Sequence, residues 1–270
     1  MTKKKILVLA LSLAMVAILA VGGSLAYFTS DDHAENTFTV GNVKIDLIEQ
    51  ERGEDGKLKD FEQGKALNPI VGSAQGDKDE FGMPTARNYV DKMVTIANTG
   101  KNDAYIRAYF AIPTALDDGY ETFNAGLNVL HFNFGNKVVN GVISSTEGVE
   151  WKWTHGSKWN YFETTIGGIK YNVYYADYYR VLPAGETTEQ LIQGVYLDKS
   201  FDSKDDGYYA FGKKLDGLEN FVSTDAGLTV TCPVYAVAVQ AAGFDNAADA
   251  ITAAFGANYN PFGGTATNWQ

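Results

Sequence analysis

Apolar and polar residues alternate with a period of two through most of the chain, the signature of half-buried strands. Phe38 and Val40, then Val43, Ile45 and Leu47, alternate with polar neighbours such as Lys44 and Asp46, and Gly41 breaks the phase between the two sets. Such a break marks a bulge or turn. In "YVDKMVTIANTGKNDAYIRAYFAI" (residues 89–112) one strand runs to Ile96 and Asn98-Thr99-Gly100 makes a turn. Ile106, Ala108, Phe110 and Ile112 then share one face of the next strand, so the spacing predicts a hairpin. Leu130, Phe132 and Phe134 share another face, as do Trp151 and Trp153. Strands flank Pro183-Ala184-Gly185, and "LTVTCPVYAVAVQ" (228–240) is the longest β run. Pro233 inside it points to an edge or bulge, because proline cannot donate to the ladder. Only "NAADAITAAFG" (246–256) has helical spacing, with Asp245 as its cap, Ala247, Ala250, Ile251, Ala254 and Phe255 on one face, and Gly256 as its stop.

Many short strands and one helix predict an all-β fold, a jelly-roll-like antiparallel β-sandwich with loop insertions and a short C-terminal helix. The domain is expected over residues 27–256, with polar, glycine-rich residues 51–88 as a loop insertion and 257–270 as a flexible tail. Ahead of it, Lys3, Lys4 and Lys5 precede the uncharged apolar run Ile6 to Val21, which is short for a membrane-spanning helix. The run ends in Gly22-Gly23-Ser24-Leu25-Ala26. Small residues in this position suit a signal peptidase. Residues 1–26 are thus expected to be a secretory signal, cut between Ala26 and Tyr27, and the alternative is an uncleaved N-terminal anchor.

The formal net charge of −11 sets such a protein against nucleic acid and anionic membranes, which would repel it. Its single cysteine, Cys232, cannot form an internal disulfide, so stability must come from a packed core. Apolar neighbours Val230, Val234 and Ala236 mark Cys232 as a small buried hydrophobe rather than a nucleophile. The three histidines, His33, His131 and His155, form no H-E-x-x-H pattern. His33-Ala34-Glu35 lacks the paired cysteines a zinc deaminase needs. Asp202 to Gly207 resembles a calcium loop only in part, since Lys204 and Lys213 stand at the third and twelfth positions. No catalytic residue, metal site or cofactor is expected.

The aromatic window is a different matter. Trp151, Trp153 and Trp159, with tyrosines out to Tyr179, crowd thirty residues. Exposed, they would stack on sugar rings; buried, they are core or interface.

"GGSLAYFTSD" (22–31) followed by "NTFTVGNVKIDLIE" (36–49) resembles the N-terminal region of the TasA/camelysin family of exported biofilm-matrix proteins. The segments "VTIANTGKNDAYIRAYFAI", "LPAGETTEQLIQGVYL" and "VYAVAVQAAGFDNAADAITAAFG" are similar to the same group, whereas residues 113–170 are not. The resemblance implies a jelly roll, processing by a SipW-type signal peptidase, secretion from a Gram-positive-type cell, and polymerisation into fibres; Leu182-Pro183-Ala184-Gly185 lacks the threonine of a sortase signal and sits mid-chain, so covalent wall attachment is not expected. The resemblance further implies that the mature N-terminal segment of one subunit completes a neighbour's sheet, with Phe28, Phe38, Val40, Val43, Ile45 and Leu47 as the exchanged apolar residues. The partners would be further copies of the chain, and other matrix proteins or polysaccharide. The alternatives are a secreted carbohydrate-binding module using Trp151, Trp153 and Trp159, and a camelysin-type metalloprotease, for which the chain offers no recognisable metal motif.

Overall fold

The computed structural model describes residues 29–32, 43–74, 76–80, 82, 84–117, 128–134, 138–139, 142–143, 150–153, 161–218, 221–224 and 227–263. In chain order the first strands are β1 (Thr29–Asp32), β2 (Ile45–Arg52), β3 (Leu58–Asp60), β4 (Val90–Asn98), β5 (Ala104–Pro113), β6 (Leu130–Phe134), β7 (Val138–Val139) and β8 (Val142–Ile143). There follow β9 (Trp151–Trp153), β10 (Tyr161–Ile166), β11 (Ile169–Tyr178), β12 (Ile192–Leu197), β13 (Asp202–Lys204), β14 (Gly207–Ala210) and β15 (Lys213–Lys214). The last are β16 (Val222–Thr224), β17 (Gly227–Thr229), β18 (Val234–Gln240) and the helix α1 (Ala247–Phe255).

Two antiparallel sheets make the sandwich. Sheet A has the order β1-β18-β5-β11-β10, with β9 also on β11; sheet B has the order β3-β2-β4-β12-β6. The alternation along β5 explains how they pack. Ile106, Ala108, Phe110 and Ile112 meet Ile45, Val94 and Ile96 of sheet B in the main core. Tyr105, Tyr109 and Ala111 point the other way, into a second core closed by Ala247, Ala250 and Ile251 of α1. All ten residues of β5 are therefore buried. Within the second layer Arg107 donates to both oxygens of Asp177 (2.6 and 3.0 Å) while its guanidinium lies 4.1 Å from the Tyr175 ring centroid. This pairing satisfies a charge that burial would otherwise penalise heavily.

The helix follows the expected span, but Asn246 rather than Asp245 is its cap, accepting the Asp249 N–H at 2.9 Å. The segment after it is packed at least to residue 263. Tyr259 lies edge-on to Tyr109, and Phe262 edge-on to Tyr235.

The expected hairpin is not formed. β4 belongs to sheet B and β5 to sheet A, so the chain arches across the sandwich at residues 99–103. β11 and β12 likewise lie in opposite sheets, the crossover habit of a jelly roll. Both arches meet at Asn98, which has no exposed surface. Its side-chain amide donates to the carbonyls of Asn102 (2.9 Å) and Leu182 (3.0 Å), and its carbonyl oxygen accepts the Gly100 N–H (3.1 Å).

Part of the 51–88 insertion is built into sheet B. β2 extends to Arg52, β3 pairs back on it, and the Ile70 N–H donates to the Leu197 carbonyl at 3.0 Å. Glu51, 2 % exposed, holds this region by binding Lys59 (2.9 Å) and Lys65. Burial alone would raise its pKa, but hydrogen bonds from Lys65, Lys59 and the Glu62 N–H outweigh burial and hold it below the ordinary value of 4.5. A depressed carboxylate stabilises the fold above its unfolded pKa, and that contribution is lost as pH falls through the folded value. Protection of the amides of residues 58–66 from hydrogen exchange, taken relative to the intrinsic rate at each pH, is therefore expected to fall, ahead of β5, as pH drops below about 4.5; Glu51→Gln should remove that acid dependence.

Gly194 sits at a bulge in β12, where a Cβ would come within 2.1 Å of the Tyr89 hydroxyl. Gly194→Ala must therefore push Tyr89 off Asn133, to which it is bonded at 3.1 Å. We expect a loss of about 1–3 kcal/mol in urea denaturation, largely recovered in the double variant Gly194→Ala/Tyr89→Ala.

Candidate functional site

A large cleft lies where, among the described residues, part of β18 is the edge of sheet A. β1 pairs with only its last part, Thr29 opposite Val239 through Asp32 opposite Ala236. Among the described residues no strand pairs with that edge below Ala236. There the backbone of 229–235 borders a cleft of about 1030 Å³. Val230 and Cys232 pack toward the main core, and Leu47, Phe132 and Val195 form the facing wall. Tyr235 and Phe262 of the second core, with Ile166, line the same cleft from the other side of the sheet. An opening that reaches both faces of one strand edge accepts a chain with alternating side chains better than it accepts a compact small molecule.

Pro233 leaves this edge intact. Its carbonyl accepts the Ala111 N–H (3.0 Å), so its carbonyl and its missing N–H both face β5. The alternation then directs the backbone groups of Cys232 and Val234 to the open side, where an added strand would find them.

At its sheet B end the cleft turns polar. Lys92, 8 % exposed, donates to Glu49 at 2.8 Å and lies 4.2 Å from the Phe61 ring centroid. Gln63 donates to the second oxygen of Glu49 at 3.0 Å, so residues 61–65 form the rim. Cys232 is half-buried in the apolar part, where burial pushes its thiol up to about 12 despite the charge of Lys92. A thiol held protonated is a poor nucleophile.

Of the residues singled out in the sequence, Ala26, Tyr27, Phe28, Phe38, Val40 and Trp159 lie outside the described residues, as do His33 and His155. Val43 and Ile45 are fully buried in the main core and Leu47 packs against it. In this structure Ile45 and Leu47 of β2, and Val43 just before it, are thus packed within their own subunit. Trp151 is also core, 2 % exposed, with its indole N–H given to the Glu189 carbonyl at 3.0 Å. It has no surface to offer a sugar. Trp153 completes β9. The tyrosines beside them divide by strand alternation, Tyr174 and Tyr178 into the main core and Tyr171 and Tyr175 beneath α1. The acidic turn 202–206 is occupied by its own neighbours. Asp206 accepts from Tyr209 at 2.8 Å and lies 3.5 Å from Lys214, and Lys204 lies 3.9 Å from Asp202. Among the described residues no three His, Cys, Asp or Glu side chains come together as metal ligands, and no helix is long and apolar enough to cross a membrane.

Alkylation of Cys232 by iodoacetamide at pH 8 is expected to be at least about tenfold slower in the folded protein than in urea, since little thiolate is present at that pH. A rate equal to that of the unfolded chain would show the thiol to be free of the apolar wall. No protein-family model, curated protein or solved structure matches this chain.

Proposed function

We propose that the protein is a secreted structural subunit that polymerises into extracellular matrix fibres by adding the N-terminal segment of one copy to the β18 edge of the next. One observation supports this reading: among the described residues the apolar β18 edge is paired over four residues only, and the rest of it borders a two-sided apolar cleft. The residues paired with it are Thr29, Ser30, Asp31 and Asp32, set opposite Val239, Ala238, Val237 and Ala236. Polar residues against an apolar edge make a weak closure, and a longer segment containing Phe38 and Val40 would match the edge and cleft better. Each added ladder bond contributes about 1 kcal/mol and the apolar side chains more. Unmatched apolar edges are the usual route to association. A contact between one end of a subunit and a different surface of the next grows into a filament wherever the rotation between copies does not close a ring. The sequence resemblance to exported matrix proteins points the same way, and the chemistry requires no enzyme activity.

The chain from Tyr27 onward contains every element described above. Negative-stain microscopy over hours is expected to show fibres from it and only monomers from a chain starting at Gly41, with circular dichroism establishing that the shorter chain is folded. Phe38→Lys with Val40→Lys should slow growth at least about tenfold, since each buries a charge in an apolar groove. Fibres from the Gly41 chain, or folded monomers from both chains, would sink the proposal.

A further inference from the structure

On the far face of sheet B a second site is assembled from residues that strand exchange does not use. Leu130, Phe132, Val195 and Leu197 face the main core. Their neighbours His131, Asn133 and Tyr196 therefore point outward. His131 and Tyr196 are cross-strand partners, and their rings lie nearly parallel, 6° apart with centroids at 4.9 Å. Tyr89 continues the row, its ring centroid 6.1 Å from that of Tyr196 and its hydroxyl accepting from Asn133. All three rings are half-buried, so each keeps some surface toward solvent.

At the Tyr89 end the row runs into a separate cavity of about 550 Å³, walled by Tyr89, Asp91, Glu62, Gln63 and Lys65. Asp91 is the informative member. One carboxylate oxygen accepts the Arg52 N–H at 2.9 Å, while the other is buried and has no hydrogen-bond partner among the described residues. Burial, and then the charges of Glu51 and Asp79, raise its pKa against the pull of the Arg52 bond. A buried acceptor without a donor is costly, and its retention at the wall of a cavity calls for an explanation.

We propose that this cavity and the aromatic row beside it form a binding site for a neutral polysaccharide. Sugar hydroxyls supply the donor that Asp91 lacks and can also accept from Gln63, while the C–H faces of the sugar rings cover the exposed parts of Tyr89, Tyr196 and His131. A uronic acid polymer is disfavoured, because Asp91 and Glu62 would repel its carboxylates and Lys65 is already bound to Glu51. A bound metal ion is disfavoured by the lack of a third ligating side chain among the described residues. The site does not depend on fibre formation and can be read on the monomer.

The test is native electrophoresis of the chain from Tyr27 onward through gels containing a soluble β-glucan, a dextran, a galactomannan or polygalacturonate. Retardation in at least one neutral gel and none in polygalacturonate is expected. Asp91→Ala removes the acceptor and leaves nothing in its place for a sugar hydroxyl to bond. It should weaken retardation at least tenfold, with circular dichroism establishing that this variant is folded. Tyr196→Ala should weaken retardation to a similar degree, and near-UV circular dichroism tests whether that variant is folded. Free migration in every neutral gel, stronger retardation in polygalacturonate, or undiminished retardation of folded Asp91→Ala would each overturn the assignment.

Discussion

Sheet A is apolar on both faces, and that constraint organises the molecule. With every residue of β5 buried, neither face of the sheet can be left to water. Sheet B covers one face; α1, Tyr259 and Phe262 cover the other. Two covers protect two faces, but neither protects an edge. Among the described residues the β18 edge below Ala236 carries no partner strand, and its apolar composition follows from the same two-sided burial. A strand whose side chains are apolar on both faces cannot present a polar rim where its partner strand ends.

The alternation within β5 and the position of the helix were legible because each depends on local periodicity. Which sheet a strand joins is not a local property. Residues 89–112 carry the period and turn of a hairpin, yet the turn became an arch because Asn98 finds its partners in the arch itself and at Leu182, far along the chain. Asp245, expected as the cap, and its neighbour Asn246 both carry a side-chain oxygen suited to capping, and only backbone geometry selects Asn246. Trp151 and the β11 tyrosines share no single face for the same reason that they form strands: alternation on β11 sends Tyr174 and Tyr175 to opposite sides of the sheet. The row on sheet B, by contrast, joins Tyr89, His131 and Tyr196 from three distant segments. No sequence window contains it.

The cleft and the outer cavity share the rim segment Gln63-Gly64-Lys65 but differ in chemistry. One offers backbone groups between apolar walls, which suits an extended chain. The other offers a buried carboxylate beside partly exposed rings, which suits a hydroxylated ligand. The 51–88 insertion thus contributes walls to both openings, and the Glu51 cluster that fixes it to sheet B keeps the two apart.

The anchoring of both arches on Asn98 also bears on the order in which the protein folds. The amide bond to Leu182 spans 84 positions, and β18, which lies next to β5 in sheet A, comes near the end of the chain. Neither crossover can lock until most of the polypeptide is present, and sheet A has no complete interior before its last strand arrives. Such non-local topologies fold slowly and leave apolar strands uncovered in the meantime. The excess of acidic over basic residues gives each such chain a net negative charge, and like-charge repulsion opposes association between chains whose strands are still uncovered.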